Sequence, residues 1–94
     1  MINVKQAVAA SVEFLASIDN EAQDVLVEEV EYSDYQLGTK AWLITLSFTH
    51  PQSQKKNNLL SALAGDVRKY KIFKVDSDKG EVLSMKIREL AKAQ

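Results

Sequence analysis

The sequence predicts an α+β domain: an N-terminal helix packed on a four-stranded antiparallel sheet, with a loop or short helix between strands 2 and 3. Three observations carry that expectation. Apolar residues recur at helical spacing near the N-terminus, residues 41–49 alternate strictly, and two apolar runs flank Ser77-Asp78-Lys79-Gly80.

On a helical wheel with Val4 as zero, the residues Ala7, Val8, Ser11, Val12, Leu15 and Ile18 fall within about 80° of it, with Phe14 at the rim. Lys5, Gln6, Ala9, Glu13 and Ser17 face elsewhere, so the segment is a one-sided helix whose stripe must be covered. Asn3 suits the N-cap, and Asp19-Asn20 ends the element. Asp24–Tyr32 reads as a first strand, rich in valine and acidic toward its end, followed by a turn over Ser33–Thr39. Ala41–Thr49 is the second strand, with Trp42, Ile44, Leu46 and Phe48 on one face and Leu43, Thr45, Ser47 and Thr49 on the other. Trp42 shares its register with the apolar face, which predicts a core position rather than an exposed anchor.

His50–Asn58 holds the only proline and reads as a loop, and Leu59–Ala64 before Gly65 reads as a short helix with a glycine C-cap. Arg68–Asp76 and Glu81–Leu90 form the last two strands, with Gly80 placed for a positive φ in the turn. The tail, Ala91–Gln94, is expected to fray. The whole chain, residues 1–94, reads as one domain.

The stretch YKIFKVDSDKGEVLSMKI resembles the terminal hairpin of PepSY-like domains, which carry an aromatic strand, a V-D-x-x-x-G-x-V/I turn and a closing strand. The matching positions are Tyr70, Phe73, Val75, Asp76, Gly80, Glu81, Val82 and Leu83. A helix with small residues followed by an acidic strand agrees with that family's order. The resemblance implies a cystatin-like α+β architecture and a binding role, at times peptidase inhibition, rather than catalysis. Two features depart from the family: no export signal is legible, and the connector HPQSQKKNNLLSALAG is longer than a plain PepSY hairpin connection.

Composition excludes several chemistries. The 94 residues contain no cysteine and one histidine, so disulfide frameworks, thiolate zinc sites, cysteine nucleophiles and His-pair metal motifs within the chain are ruled out. No segment reaches the roughly 18–20 apolar residues that cross a bilayer, and a cytoplasmic location is expected. Asp76, Asp78 and Glu81 fail the spacing of a calcium loop, because Gly80 falls where the fifth-position ligand would stand. His50 has no acid near it in sequence and reads as a solvent-facing loop histidine. Glu28, Glu29 and Glu31 could pair as acid and base, but a charged strand face accounts for them equally well. No glycine-rich phosphate loop is present. The expectation is a non-enzyme without cofactor or metal.

Charge is divided along the chain. Residues 1–50 hold two lysines against eight acids, and residues 51–94 hold ten bases against five acids, within a net charge of −1. Asp19–Asp34 has seven acids and no base. This acidic segment, through Glu28, Glu29, Glu31, Tyr32 and Tyr35, is the candidate surface for a protein partner. Strand addition at an exposed edge is a second way to make that contact. Alternatively, the charged strands neutralise each other across the sheet. The leading functional expectation is a small interaction module of inhibitor, accessory or immunity type. The alternatives are a cystatin-like ligand-binding or enzymatic domain with a pocket under the helix, and a weak nucleic-acid binder using Lys55–Lys74 with Tyr70 for stacking. The near-neutral total argues against a dedicated nucleic-acid binder. A homo-oligomer stays open, and no membrane contact is expected.

Overall fold

A computed structural model describes residues 1–35, 39–51 and 68–88, with residues 34, 35 and 39 described through their backbone. Helix α1 spans Val4–Ile18. It starts at Asn3, whose Oδ1 accepts from Gln6 N–H at 2.9 Å while Asn3 N–H donates to Gln6 Oε1 at 2.8 Å. That reciprocal capping box satisfies two donors that a bare helix start leaves unpaired. It ends at Asp19, whose N–H donates to Leu15 C=O at 2.8 Å.

Four strands follow: β1 (Gln23–Tyr35), β2 (Thr39–Thr49), β3 (Lys69–Asp76) and β4 (Val82–Ile87). They form one antiparallel sheet in the order β1-β2-β3-β4, so β1 and β4 are its edges. The expected class and element order are therefore present. β1 is longer than the sequence suggests, because Ser33, Asp34 and Tyr35 pair with Ala41, Lys40 and Thr39 and carry the ladder toward the turn. The sequence-predicted loop after Pro51, the short helix at 59–64 and the frayed tail lie outside the described residues.

Helix α1 covers one face of the sheet. Ala7 and Leu15 on the helix pack with Ile44, Leu46, Phe48, Phe73 and Val75, all nearly sealed from solvent. Small residues at Ala7 and Ser11 let the helix approach closely, and the buried Ser11 hydroxyl donates back to Ala7 C=O at 3.0 Å. Phe14 meets Phe73 edge-on with ring centroids 6.3 Å apart. Trp42 packs against this core, as its register predicts, and its Nε1 donates to Ile2 C=O at 3.3 Å.

The β3–β4 turn is organised by Asp76, whose Oδ2 accepts from Lys79 N–H at 2.8 Å and whose C=O accepts from Gly80 N–H at 2.9 Å. Gly80 takes φ +78°, as its turn position requires. A Cβ at Gly80 would stand 3.3 Å from Ile2 Cγ2, so the glycine also admits Ile2 against the turn.

Candidate functional site

β1 carries the acidic segment, and its pattern shifts phase halfway. Val25 and Val27 are two apart, Val30 and Tyr32 are two apart, and Glu28-Glu29 stands between them. A uniform strand would put the two pairs on opposite faces. The structure resolves this with an irregularity between Val27↔Leu46 and Glu29↔Thr45, where Glu28 is the extra residue. Val27 and Val30 thus share the helix face, opposite Leu46 and Ile44, while Glu29 and Glu31 share the second face. The doubled glutamate inside an interrupted alternation is a signal for this bulge that the sequence reading did not use. A second irregularity lies between Gln23 and Leu26, where Asp24 adopts a left-handed φ of +59° that aspartate tolerates better than most side chains.

The helix does not cover all of β1. Val27, Val30 and Tyr32 retain 48%, 42% and 38% exposure on the helix face. Tyr32 leans on Trp42, ring centroids 4.7 Å apart. Glu28, Glu29 and Glu31 are exposed. Over residues 27–32 the outer side of β1 is therefore an edge with Val27, Val30 and Tyr32 on one face and Glu29 and Glu31 on the other. Exposed Leu26 shares the second face, and Asp34, opposite Lys40, the helix-face register. Of the five candidate residues, Glu29, Glu31 and Tyr32 fall on one stretch of this edge, and Glu28 sits at its bulge. Tyr35 ends the strand opposite Thr39, and its side chain lies outside the described residues.

Two of the acids are already engaged within the chain. Arg88, beyond the end of β4, reaches across the second face to Glu29 and also donates to Thr45 Oγ1 at 3.1 Å. This hydrogen bond and the attraction of opposite charges hold the Glu29 carboxyl below its usual range and raise Arg88. The Ser47 hydroxyl donates to Glu28 Oε2 at 2.6 Å and accepts from Arg68 Nε at 3.0 Å. Arg68 continues to the Asp24 carboxylate at 3.4 Å and to the Asp24 carbonyl. Part of the charge division thus closes on itself across the sheet, one of the outcomes the charge pattern allows. Glu31 makes no hydrogen bond among the described residues, although its charge also acts on Arg88 and helps raise it.

The second face therefore grades from acid to base. One row runs Glu29, Thr45, Ile72, Lys86, and the next runs Glu31, Leu43, Lys74, Ser84. A depression of about 170 Å³ lies over its basic half, lined by Leu43, Ile72, Lys74, Ser84 and Lys86. On the helix side, a groove of about 340 Å³ runs beside the helix between Ala10, Glu13, Phe14 and Ser17 and the turn residues Gly80, Glu81 and Val82. It lies beside α1, and among the described residues Ala7, Leu15, Ile44, Leu46, Phe48, Phe73 and Val75 pack between helix and sheet.

His50 corrects a sequence expectation. It is half-buried rather than solvent-facing, and its Nε2 lies 2.6 Å from Asp19 Oδ2 at the helix end, 31 residues away in sequence. Its ring also meets Phe48 edge-on at 5.5 Å. Burial raises the Asp19 carboxyl, but hydrogen bonds from His50 and Glu21 N–H and the nearby charges of His50 and Lys69 outweigh it, and the net direction is down. The pair fastens the helix end to the end of β2. Among the described residues, no three His, Asp or Glu side chains gather closely enough to share a metal ion.

The predicted basic track also divides. Lys69 and Lys71 stand opposite Phe48 and Leu46 on the helix face, Lys74 stands opposite Leu43 on the second face, and Arg68 is bound to Asp24 and Ser47. Lys55 and Lys56 lie outside the described residues. No described helix is long and apolar enough to cross a membrane. Compared with known proteins, the chain matches no family model, no curated protein and no solved structure.

Proposed function

We propose that this chain is a non-enzymatic interaction module that receives an extended partner segment along β1. The carrying observation is the edge itself: paired on one side only among the described residues, apolar at Val27, Val30 and Tyr32, and acidic at Glu29 and Glu31 on the opposite face. A complementary strand is apolar on one face and basic on the other. Main-chain hydrogen bonds supply its affinity, and the alternating side chains supply its selectivity. Glu31, lacking a bonded partner among the described residues, is the acid best placed to choose a basic strand. Tyr32, backed by Trp42, offers the aromatic contact surface.

The resemblance of residues 70–83 to PepSY-like hairpins supports the same reading, because what that family implies is binding and at times peptidase inhibition. An inhibitor, accessory or immunity-like role is the form of the proposal that suits a domain of this size. A cysteine-free chain is compatible with the reducing cytoplasm, which is where the proposal sets it. Dispersal of Lys69, Lys71 and Lys74 over both faces counts against a phosphate-tracking role.

A peptide pair tests the reading. A short peptide alternating lysine and valine should shift backbone amides of Gln23–Ser33 in a saturable titration followed by NMR. Affinity should fall with added salt and be lost in Glu31→Lys, while a glutamate–valine peptide of equal length should leave β1 unmoved. Equal binding of both peptides, or shifts that avoid β1, would refute it. Glu31 is preferred to Glu28 and Glu29 as the probe because those two also hold Ser47 and Arg88.

A further inference from the structure

The opposite edge of the sheet is the mirror of β1 in chemistry. On β4, Met85 stands opposite Phe73 and Ile87 opposite Lys71, both on the helix face, and Ile87 is 72% exposed. Ser84 and Lys86 stand on the second face, opposite Lys74 and Ile72. β1 is thus apolar and acidic where β4 is apolar and basic. We propose that the strand received by β1 is β4 of a second copy of this chain, joined head to tail; the inference rests on the edge-pairing reading above.

Chain direction permits the joint. In a four-stranded meander, β1 and β4 run antiparallel, so a second copy laid beside β1 in the same orientation continues the antiparallel alternation. The same placement keeps all helices on one side and matches helix face to helix face. One register then sets Val30 against Ile87, Glu31 against Lys86 and Tyr32 against Met85, so each position meets its complement. Self-pairing of like edges lacks that match. Two β1 strands related by a twofold axis would oppose Glu29 and Glu31 to the same acids, and two β4 strands would oppose Lys86 to itself. The charge pattern therefore favours a heterologous joint, in which each copy donates one edge and accepts on the other.

Two blocked variants test this by complementation. Val30→Asp places a charge on the apolar face of β1 and leaves β4 intact; Ile87→Asp does the same to β4 and leaves β1 intact. Both positions are exposed enough to accept a polar side chain without disturbing the core. By light scattering after size exclusion, wild type should show a mass that rises with concentration above the 10.5 kDa monomer. Each variant alone should remain at the monomer mass, and their equimolar mixture should give a species of twice that mass that grows no further. Circular dichroism of each variant checks that it is folded, and Val30→Lys with Ile87→Lys replaces any member that is not. A wild type monomeric at all concentrations, or a mixture that stays monomeric, would overturn the joint. If the lysine–valine peptide still shifts β1 in that case, only the identity of the partner fails; if it does not, the edge reading fails as well.

Discussion

On the helix side of β2, Ile44, Leu46 and Phe48 are enclosed by Phe73, Val75, Ala7 and Leu15. On its other side Thr45 and Ser47 are equally buried, yet they hydrogen-bond Arg88 and Arg68. One strand therefore borders two interiors of different kind. The first is held by apolar burial, which is non-directional and scales with area. The second is held by directional bonds whose net worth is modest because water competes for the same groups. Sequence change is therefore tolerated unequally: the helix side fixes the fold, and the second face can change charge at small cost in stability.

The sharpest break is a cavity on the helix side. Phe73→Ala should lower unfolding free energy by about 3–5 kcal/mol in a urea titration, because Phe73 is fully buried and touches both Phe14 and the sheet core. A loss below about 1 kcal/mol would mean that the helix side is not the dominant interior. Gly80→Ala should cost roughly 1–2 kcal/mol, since φ +78° strains an L side chain and Ile2 leaves little room for a Cβ. Ser47→Ala on the second face should cost only about 1 kcal/mol, because Glu28 and Arg68 turn to solvent when the hydroxyl between them is gone.

The smallest effect is read against pH. Glu29 titrates lower in the folded state than its ordinary value of 4.5, so it stabilises the fold above that pH. The contribution is given up as the pH falls through the folded-state value. In Arg88→Gln the partner is lost, and the melting temperature should decline less steeply below about pH 4.5 than in wild type. An unchanged acid limb would show that the pair is too solvent-screened to matter.

Much of the helix side was legible in the residues themselves. The Asn3 cap, the Val4–Ile18 stripe, the alternation of β2 and the glycine turn all follow from local preferences that agree with the final packing. Gln6, three residues after Asn3, completes the cap box by the same local logic. The second face was largely not legible. Arg68 meets Asp24 across 44 residues and Arg88 meets Glu29 across 59, so neither pairing exists until strand register is set. Asp19 and His50 illustrate the same limit, since nothing in the chain near His50 announces an acid. The sequence places the acids on a strand, and Glu29 and Glu31 share one of its faces. Their division into Glu28 at a bulge, Glu29 under Arg88 and Glu31 outside both could be drawn only from the ladder.

The anchorage of Ile2 bears on the order in which the protein assembles. Ile2 N–H donates to Ser77 C=O at 2.7 Å, its carbonyl accepts from Trp42, and its side chain rests on Gly80. Ile2 thus has part of its binding seat about 75 positions downstream, and so it waits for the β3–β4 hairpin before it can settle. Until then the nascent helix has no roof of its own to hold, and its stripe stays open to other contacts. Seating of Ile2 should accordingly be a late event, detectable as delayed protection of its amide in pulsed hydrogen exchange while β2 and β3 are already protected.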